Sequence, residues 1–226
     1  MGGWVRRGLR DLVPALVCLI TTSSVSAATP PPSPGGWELG FRTGVAVPLG
    51  NADQNTVLGD WVGLQIPLWF DAGYRVWGGL VFVGAWANWS LGSLKNSGVC
   101  DHFGLNCWTR DLSVGAEVLV HPARYARLDP WFGLGFGYEW LTAGASYSNQ
   151  WQTSTLRGWE FGNIQLGLDI ALTGLVRGGP FMVASLGEYS NVSYSSSVGS
   201  GTSFVLGTTK ALHVWLTFGV RITVLP

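Results

Sequence analysis

Charged side chains are scarce in this sequence: Asp, Glu, Lys and Arg make up only 12% of its 226 residues. Soluble domains carry about twice that fraction, because a chain folded in water needs charge to cover its surface. The deficit argues against water as the main solvent of this chain. The formal net charge is zero, so there is no basic excess of the kind that attracts nucleic acid, and no nucleic-acid partner is expected.

The sequence also lacks a convincing membrane-spanning helix. The apolar run of residues 12–20 is too short for a bilayer, which needs about 20 residues. Residues 76–94 are free of charge and are the best argument for a spanning helix. However, glycines and Asn88 interrupt this stretch, and its branched and aromatic residues favour a strand.

The N-terminal residues have the organisation of an export signal. Basic residues precede the apolar run, and small residues follow it, which predicts a secretory signal peptide over residues 1–27. Cys18 lies inside the apolar run after Val17, so a lipoprotein anchor is not expected. The proline-rich residues 28–36 predict an extended periplasmic tether, and residues 37–226 are expected to form one folded domain.

Glycine and aromatic residues are abundant, with 33 Gly, 13 Trp, 10 Phe and 6 Tyr. Apolar residues alternate with small or charged ones in eight segments, and a period of two places the two sets on opposite faces of a strand. The phase of the sixth segment jumps between Phe161 and Ile164, which predicts a β-bulge. The segments are residues 37–47, 62–70, 80–89, 112–120, 132–140, 159–172, 181–189 and 212–224.

The predicted connections alternate in length. Long ones are expected at residues 48–60, 92–110, 143–158 and 190–210, and short ones at 71–79, 122–129 and 173–179. Long loops therefore gather at one end of the sheet and short turns at the other. This asymmetry and the even strand number are typical of outer-membrane barrels.

A soluble β-sandwich would also alternate, but its outer face should be rich in polar and charged residues. Here the face opposite the apolar one is mostly glycine, which suits the crowded interior of a narrow barrel whose apolar side faces lipid. The pattern thus predicts an all-β, eight-stranded, antiparallel up-and-down transmembrane β-barrel. Aromatic residues near the predicted strand ends suggest interfacial girdles: Trp37, Trp61, Trp69, Tyr74, Trp77, Trp131, Trp140 and Trp159.

Three segments resemble small Gram-negative outer-membrane β-barrel proteins: residues 37–44, 128–140 and 211–221. The resemblance covers the chain from Trp37 onward and implies the barrel architecture without a shared activity. A looser similarity is to the outer-membrane protein W type, which is associated with hydrophobic compounds. The tail also resembles the C-terminal signal read by the barrel-assembly machinery, through Thr217, Gly219, Ile222 and Val224, although it ends in Leu225-Pro226 instead of an aromatic residue.

Two groups of residues in the sequence suggest specific chemistry. Cys100 and Cys107 lie in one predicted loop of an exported chain, which predicts a disulfide; a metal site that also uses Asp101 and His102 is the alternative. By phase, several charged side chains point into the lumen and should pair there. Closure of the barrel places Arg42 beside Arg221 and requires acidic partners from across the lumen. The lumen residues are Glu38, Arg42, Glu117, Glu139, Asp169 and Arg221.

Eight strands leave an interior only wide enough for side chains, so a general diffusion pore is not expected. The first hypothesis is therefore a structural or surface-interaction barrel with a filled lumen. A conduit for small hydrophobic compounds is the alternative, and a lipid-modifying enzyme built on His213, Glu188 and Ser190 is a weaker one. We expect no enzymatic activity, no catalytic residue, no metal and no cofactor. The expected partners are outer-membrane lipid, the assembly machinery and, in the alternative, a small apolar ligand.

Overall fold

The computed structural model describes residues 35–95, 100, 104–197, 199–204 and 211–225. The predicted signal peptide, and the predicted tether up to residue 34, lie outside these residues. The strands are β1 (Trp37–Asp53), β2 (Thr56–Val57), β3 (Val62–Val76), β4 (Val81–Leu94), β5 (Asn106–Val120), β6 (Leu128–Tyr147), β7 (Gln150–Ala171), β8 (Val176–Ser196), β9 (Ser200–Phe204) and β10 (Leu212–Val224), and the short helix α1 spans Leu58–Trp61.

Eight long strands form a closed antiparallel ring. β1 pairs with β3, the pairing continues in chain order to β8, and β10 pairs with both β8 and β1. The short strands β2 and β9 add to β1 and β8 outside this ring. Closure leaves the ring without an unpaired edge, and the predicted eight-stranded antiparallel barrel is confirmed.

The two ends of the barrel differ. The start of β1 lies against the end of β10, where Leu39 pairs with Val224. The same end carries the connections at residues 77–80, 121–127 and 172–175, and we call it the short-turn end. The opposite end carries α1, β2 and β9, and we call it the long-loop end.

Several strands are longer than predicted. The connection predicted at residues 143–158 is instead a two-residue turn, because β6 continues to Tyr147 and β7 begins at Gln150. β8 likewise continues to Ser196 and pairs with β9. These continuations form what we call the extension sheet: residues 141–157, 190–196 and 200–204. The prediction was wrong here because the extension sheet carries many polar side chains, so the apolar alternation ends before the hydrogen-bonded ladder does.

The two faces of the ring have opposite character. Apolar side chains are exposed around the whole outside, and among them are Leu39, Ile66, Val83, Val114, Leu134, Ile164, Leu186 and Val220. Trp37, Tyr74, Trp77 and Trp159 are exposed as the predicted girdles require. Trp69 and Trp131 are not, since they are 3% and 2% exposed inside the barrel. Their phase matches that of the inward residues Gln65 and Asp129, which explains the error.

The predicted β-bulge is present in β7. Gly137 of β6 pairs with Glu160 while Gly135 pairs with Asn163, so β7 carries one extra residue at this point. Glu160 and Asn163 are consequently both buried inside the barrel, and Phe161 between them is exposed. The bulge re-aims side chains without interrupting the barrel wall, as bulges next to functional sites commonly do.

In the described ranges, no helix has both the length and the hydropathy needed to cross a membrane.

Candidate functional site: the barrel interior and the groove at the bulge

Nine charged side chains fill the half of the interior nearer the short-turn end. All are buried, and we call them the lower network. Burying so many charges is costly unless each is paired and hydrogen-bonded. The lower network consists of Arg42, Arg75, Arg177, Arg221, Glu38, Asp71, Glu117, Asp129 and Asp169.

Arg42 lies at the centre of the lower network. Its Nε donates to Asp71 at 2.8 Å, and its Nη2 donates to Glu117 at 2.9 Å. Its Nη1 donates to Gln165. The guanidinium carbon lies 5.1 Å from the ring centroid of Trp69 and 5.4 Å from that of Trp131, within the range of cation–π attraction. One side chain thus ties β1 to β3, β5 and β7.

Arg221 is the direct cross-strand partner of Arg42, as barrel closure predicted. Its Nη2 donates to Glu38 at 2.7 Å and its Nη1 to Asp169 at 3.3 Å. The acidic partners come from two directions. Glu117 reaches Arg42 from across the lumen, whereas Glu38 lies on the same strand as Arg42.

Asp129 gathers the charges closest to the short-turn end. It accepts from Nη1 of Arg177 at 3.2 Å and from Nδ1 of His121 at 2.9 Å, while Arg75 pairs with Glu38. His121 lies in the turn after β5, outside the strands. Burial lowers the pKa of His121; the hydrogen bond to Asp129 opposes this effect and the charge of Arg75 adds to it. The ring is therefore neutral at neutral pH and donates its Nδ1 proton to the carboxylate.

Four members of the lower network were not predicted from the sequence: Asp71, Arg75, Asp129 and Arg177. Each falls in a predicted short connection, because the predicted strands ended where apolar residues gave way to charges. A signal was nevertheless present, since Asp71, Gly73 and Arg75 continue the alternation against the outward Ala72 and Tyr74.

A second group of buried polar side chains lies nearer the long-loop end. We call Asp111, Glu139, Glu160, Tyr189, His213 and Trp215 the upper cluster. Glu139 is its centre. It accepts from His213 Nε2 at 3.0 Å and from Trp215 Nε1 at 2.9 Å, and also from the hydroxyl of Tyr189. The rings of Tyr189 and His213 stack with their centroids 4.0 Å apart.

The upper cluster has no guanidinium or ammonium partner within the described ranges; Glu160, for example, accepts from the amide of Asn163. A polar cavity of about 20 Å³ lies beside the cluster and is lined in part by Gln65, Asn88 and Asp111. A space of this size holds roughly one water molecule. Buried polar side chains therefore line this cavity in the upper half of the lumen.

Apolar side chains pack in the interior at two levels. Near the middle of the barrel, Trp69, Trp86, Trp131 and Phe181 belong to one packed cluster. At the long-loop end, Leu58 of α1 is fully buried in a second cluster, which packs it with residues such as Leu141 and Leu156. The first connection thus folds inward over the mouth of the barrel.

The enzyme hypothesis required His213, Glu188 and Ser190 to meet. The structure does not bring them together, since His213 points inward onto Glu139 and Tyr189. Glu188 lies opposite the exposed residues Trp159 and Leu212 and so shares the outward face.

The predicted disulfide between Cys100 and Cys107 is present, with an S–S distance of 2.08 Å. The alternative metal site therefore loses its two thiolate ligands; its Asp101 and His102 lie outside the described residues. Within the described part of the chain, no group of three or more His, Cys, Asp or Glu side chains is arranged to hold a metal ion.

The residues of the predicted assembly signal all lie in β10. Thr217 is buried inside the barrel, Gly219 faces Gly44 across the β1–β10 seam, and Ile222 and Val224 are exposed on the outer face. A side chain at Gly219 would meet the backbone oxygen of Thr43 at 1.9 Å, so the close approach of the two strands requires glycine at this position.

A groove opens on the outer wall at the β7 bulge. Its volume is about 610 Å³, and its lining is mostly apolar: Leu134, Gly135, Phe161, Gly162, Asn163, Ile164, Ala184, Ser185, Leu186 and Val214. The ladder beneath it is continuous, because Gly162 and Asn163 pair with Leu186 and Ser185 of β8. The groove is thus a depression in the outer surface of the barrel wall.

Comparison with solved structures identifies the architecture. A major outer-membrane protein of Thermus thermophilus aligns with a TM-score of 0.50 and 13% identity, over 83% of this chain and 99% of that one. Neisserial surface protein A aligns with a TM-score of 0.50 and 14% identity, over 83% of this chain and 96% of that one. The fold is that of the small outer-membrane β-barrels. No protein-family model matches the sequence, and no curated protein matches it.

Proposed function

We propose that this protein is an integral, non-enzymatic outer-membrane β-barrel that does not conduct, and that it acts at the cell surface through its extension sheet. The observation that supports the proposal is the distribution of side chains, which is the reverse of that in a soluble protein: apolar side chains cover the outside of the barrel, and paired charges lie inside it. This arrangement suits a hydrocarbon surround, where every backbone group must be satisfied within the closed sheet.

The orientation in the membrane follows from the difference between the short-turn end and the long-loop end. Small barrels of this type have short periplasmic turns and longer external loops, so the short-turn end and both ends of the barrel sequence face the periplasm. Residues 1–27 act as the export signal and residues 28–36 as a periplasmic tether. Ile222 and Val224 present an outward apolar edge of β10 to the assembly machinery.

A filled interior predicts the absence of conductance. Arg42 and the mid-barrel tryptophans are buried in the interior, and Leu58 packs into the apolar cluster at the long-loop end. Single-channel recording in planar bilayers should show no steady current, whereas a porin of 16 strands in the same bilayers gives open-pore steps. Steady conductance from the purified barrel would refute the closed-lumen part of the proposal.

The extension sheet has the composition of an interaction surface. Tyr147, Trp151 and Tyr194 are exposed on it beyond the apolar belt, among Ser, Thr and Gln residues. Exposed Tyr and Trp with small polar neighbours are the residue types that binding loops favour, because they offer large contact areas at low entropic cost. A shallow recess of about 320 Å³ near Trp151 and Ser196 adds a concave contact area.

Adherence of expressing cells to each other and to protein-coated surfaces tests this role. Replacing Tyr147, Trp151 and Tyr194 together by Ser should reduce adherence at least fivefold without changing the amount of folded barrel. Trp77→Ser is the control, because Trp77 is also an exposed aromatic residue but lies at the short-turn end. Equal adherence of the triple variant and the wild type would contradict the role.

The groove at the bulge favours the second candidate, a conduit for small hydrophobic compounds. Such a conduit needs a path from the mouth to the wall, and Glu160 and Asn163 separate the groove from the interior. Uptake of an apolar dye into vesicles measures it directly. Transport that Phe161→Asp abolishes would establish this candidate in place of the first.

A further inference from the structure

We propose that the groove at the β7 bulge, together with Arg110 and Arg157, is a specific binding site for one phosphorylated glycolipid of the outer leaflet, lipopolysaccharide. This inference rests on the proposed function, which places the long-loop end outside the cell. The groove receives an acyl chain, and the two arginines receive the phosphates of the headgroup.

The groove opens on the apolar belt, so hydrocarbon is what surrounds it. Its volume of about 610 Å³ provides space for an apolar chain at the surface of the wall. The bulge creates the space, because Gly162 has no side chain to fill it. A Cβ at Gly162 would meet only the carbonyl oxygen of Gly135, at 3.8 Å.

Positive charge on the outer face of the ring lies on the long-loop side of this groove, with Arg157 on β7, which lines the groove, and Arg110 on β5, two strands away. Of the arginines on the described ring strands, only Arg110 and Arg157 are exposed, and the others point inward. Arg110 pairs with Thr142 of β6, and Arg157 pairs with Trp140 of the same strand. The two therefore flank β6 about 12 Å apart, given two strand spacings across the sheet and an offset of two residues along it.

The environment of the two arginines leaves their guanidinium groups available to a headgroup. Arg110 lies over the ring of Trp108 at 4.5 Å, and neither arginine forms a salt bridge with a described residue. Glu188 lies on the other side of β7, opposite Trp159, and already has an interaction of its own. The headgroup position is over β6, on the side of Arg110.

The outward residues of β7 connect the two parts of the site. Arg157, Trp159, Phe161 and Ile164 follow one another along the strand over about 20 Å, which matches the length of an extended acyl chain. Trp159 packs edge-on against Tyr138, with ring centroids 5.1 Å apart. This aromatic pair lies between Arg157 and the groove. An amphiphile with anionic head and apolar tail matches this order of side chains.

The energetic roles of the two parts differ. Inside a membrane the groove gains little from hydrophobicity, since neighbouring lipid tails are just as apolar, and it selects through van der Waals fit. Arginine–phosphate contacts are charge-assisted and frequently bidentate, and basic patches at the membrane surface recognise lipid headgroups. Removing the charges should therefore weaken binding more than filling the groove does.

Native mass spectrometry of the purified barrel in neutral detergent, titrated with lipid A, tests the site. The wild type should form a one-to-one complex. Arg110→Gln with Arg157→Gln should raise the Kd at least tenfold, and Gly162→Leu should raise it about fivefold. The double variant should bind dephosphorylated lipid A as the wild type does, because that probe has no charge to lose.

Two matched controls accompany these variants. Ala72→Leu adds the same side chain as Gly162→Leu at an outward position on β3, and Arg127→Gln removes an exposed arginine at the short-turn end; both should keep the Kd within twofold. Unchanged affinity in all variants, or equally tight binding of phosphatidylglycerol, would overturn the proposal. Heat-modifiable migration and flotation with liposomes are measured first: a chain that does not insert refutes the proposed function, whereas one that inserts without selective binding refutes this inference alone.

Discussion

The lower network and the upper cluster solve the same problem in different ways. Both bury carboxylates inside the barrel. The lower network pairs five of them with four arginines, whereas in the upper cluster Glu139 accepts from His213, Tyr189 and Trp215, and Glu160 accepts from the amide of Asn163. The difference shows that closure of the lumen does not depend on ion pairing alone. The lower network ties strands together around the ring, whereas the upper cluster depends on packing from Leu58 and the first connection above it.

The largest effect is expected from breaking the lower network at Arg42. Arg42→Met removes the hydrogen bonds to three partners at once. It leaves the buried carboxylates of Asp71 and Glu117 without the guanidinium group of Arg42. Removing one partner of a buried ion pair costs about 3–5 kcal/mol, and urea unfolding in lipid vesicles should show a loss of this size. Arg157→Gln, on the outer face, is the control and should change the unfolding free energy by less than about 0.5 kcal/mol.

Leu58→Ala should have the next largest effect, because it acts on the apolar cover of the upper cluster. Truncating a fully buried leucine costs about 2–5 kcal/mol through lost burial and the cavity left behind. Urea unfolding of the same preparations measures it, together with the accessibility of the mouth to proteolysis. An unchanged midpoint of urea unfolding would mean that the upper cluster does not depend on packing by Leu58.

Glu139→Gln should be milder than either. The amide still accepts hydrogen bonds from Tyr189 and Trp215 but loses the charge that His213 pairs with, at a cost of about 1–2 kcal/mol. Unfolding experiments at pH 7 compare it directly with Arg42→Met. Equal losses in the two variants would remove the distinction between the two halves of the interior.

The smallest effect on the barrel is expected from Cys100→Ser with Cys107→Ser. The chain-entropy model assigns roughly 2–3 kcal/mol to so short a loop, but the cross-link joins a connection to the start of β5 and spans neither half of the interior. Protease cleavage between β4 and β5 should accelerate, whereas the unfolding midpoint of the barrel should hardly move. A large shift of that midpoint would show that the connection between β4 and β5 stabilises the upper half of the interior.

The alternation of residues was sufficient to predict the fold, because membrane and lumen impose opposite preferences on successive positions. It also predicted that Arg42 and Arg221 lie side by side, since an even up-and-down ring must pair its first and last strands. The bulge after Glu160 was visible as a break of phase. These features depend only on the period of the strand and on closure.

Other features could not be predicted from the apolar pattern. The extension sheet lies in water, so residues such as Thr142 and Thr155 carry no apolar alternation although their ladder is continuous. Trp69 and Trp131 were assigned to girdles because tryptophan suits both an interface and a packed interior, and only phase separates the two. The partners of Glu139 depend on the stagger of distant strands, which a single sequence does not reveal.

The pairing of Arg42 with Arg221 at the seam has a consequence for how the barrel is made. When β1 and β10 meet, they bring together two guanidinium groups and only one carboxylate, Glu38, whereas Asp71, Glu117 and Asp169 come from β3, β5 and β7. The terminal strands therefore gain little from pairing early, and the barrel should close only after its middle strands have formed. The charges that stabilise the finished barrel thus also favour an order of assembly in which β1 and β10 pair last.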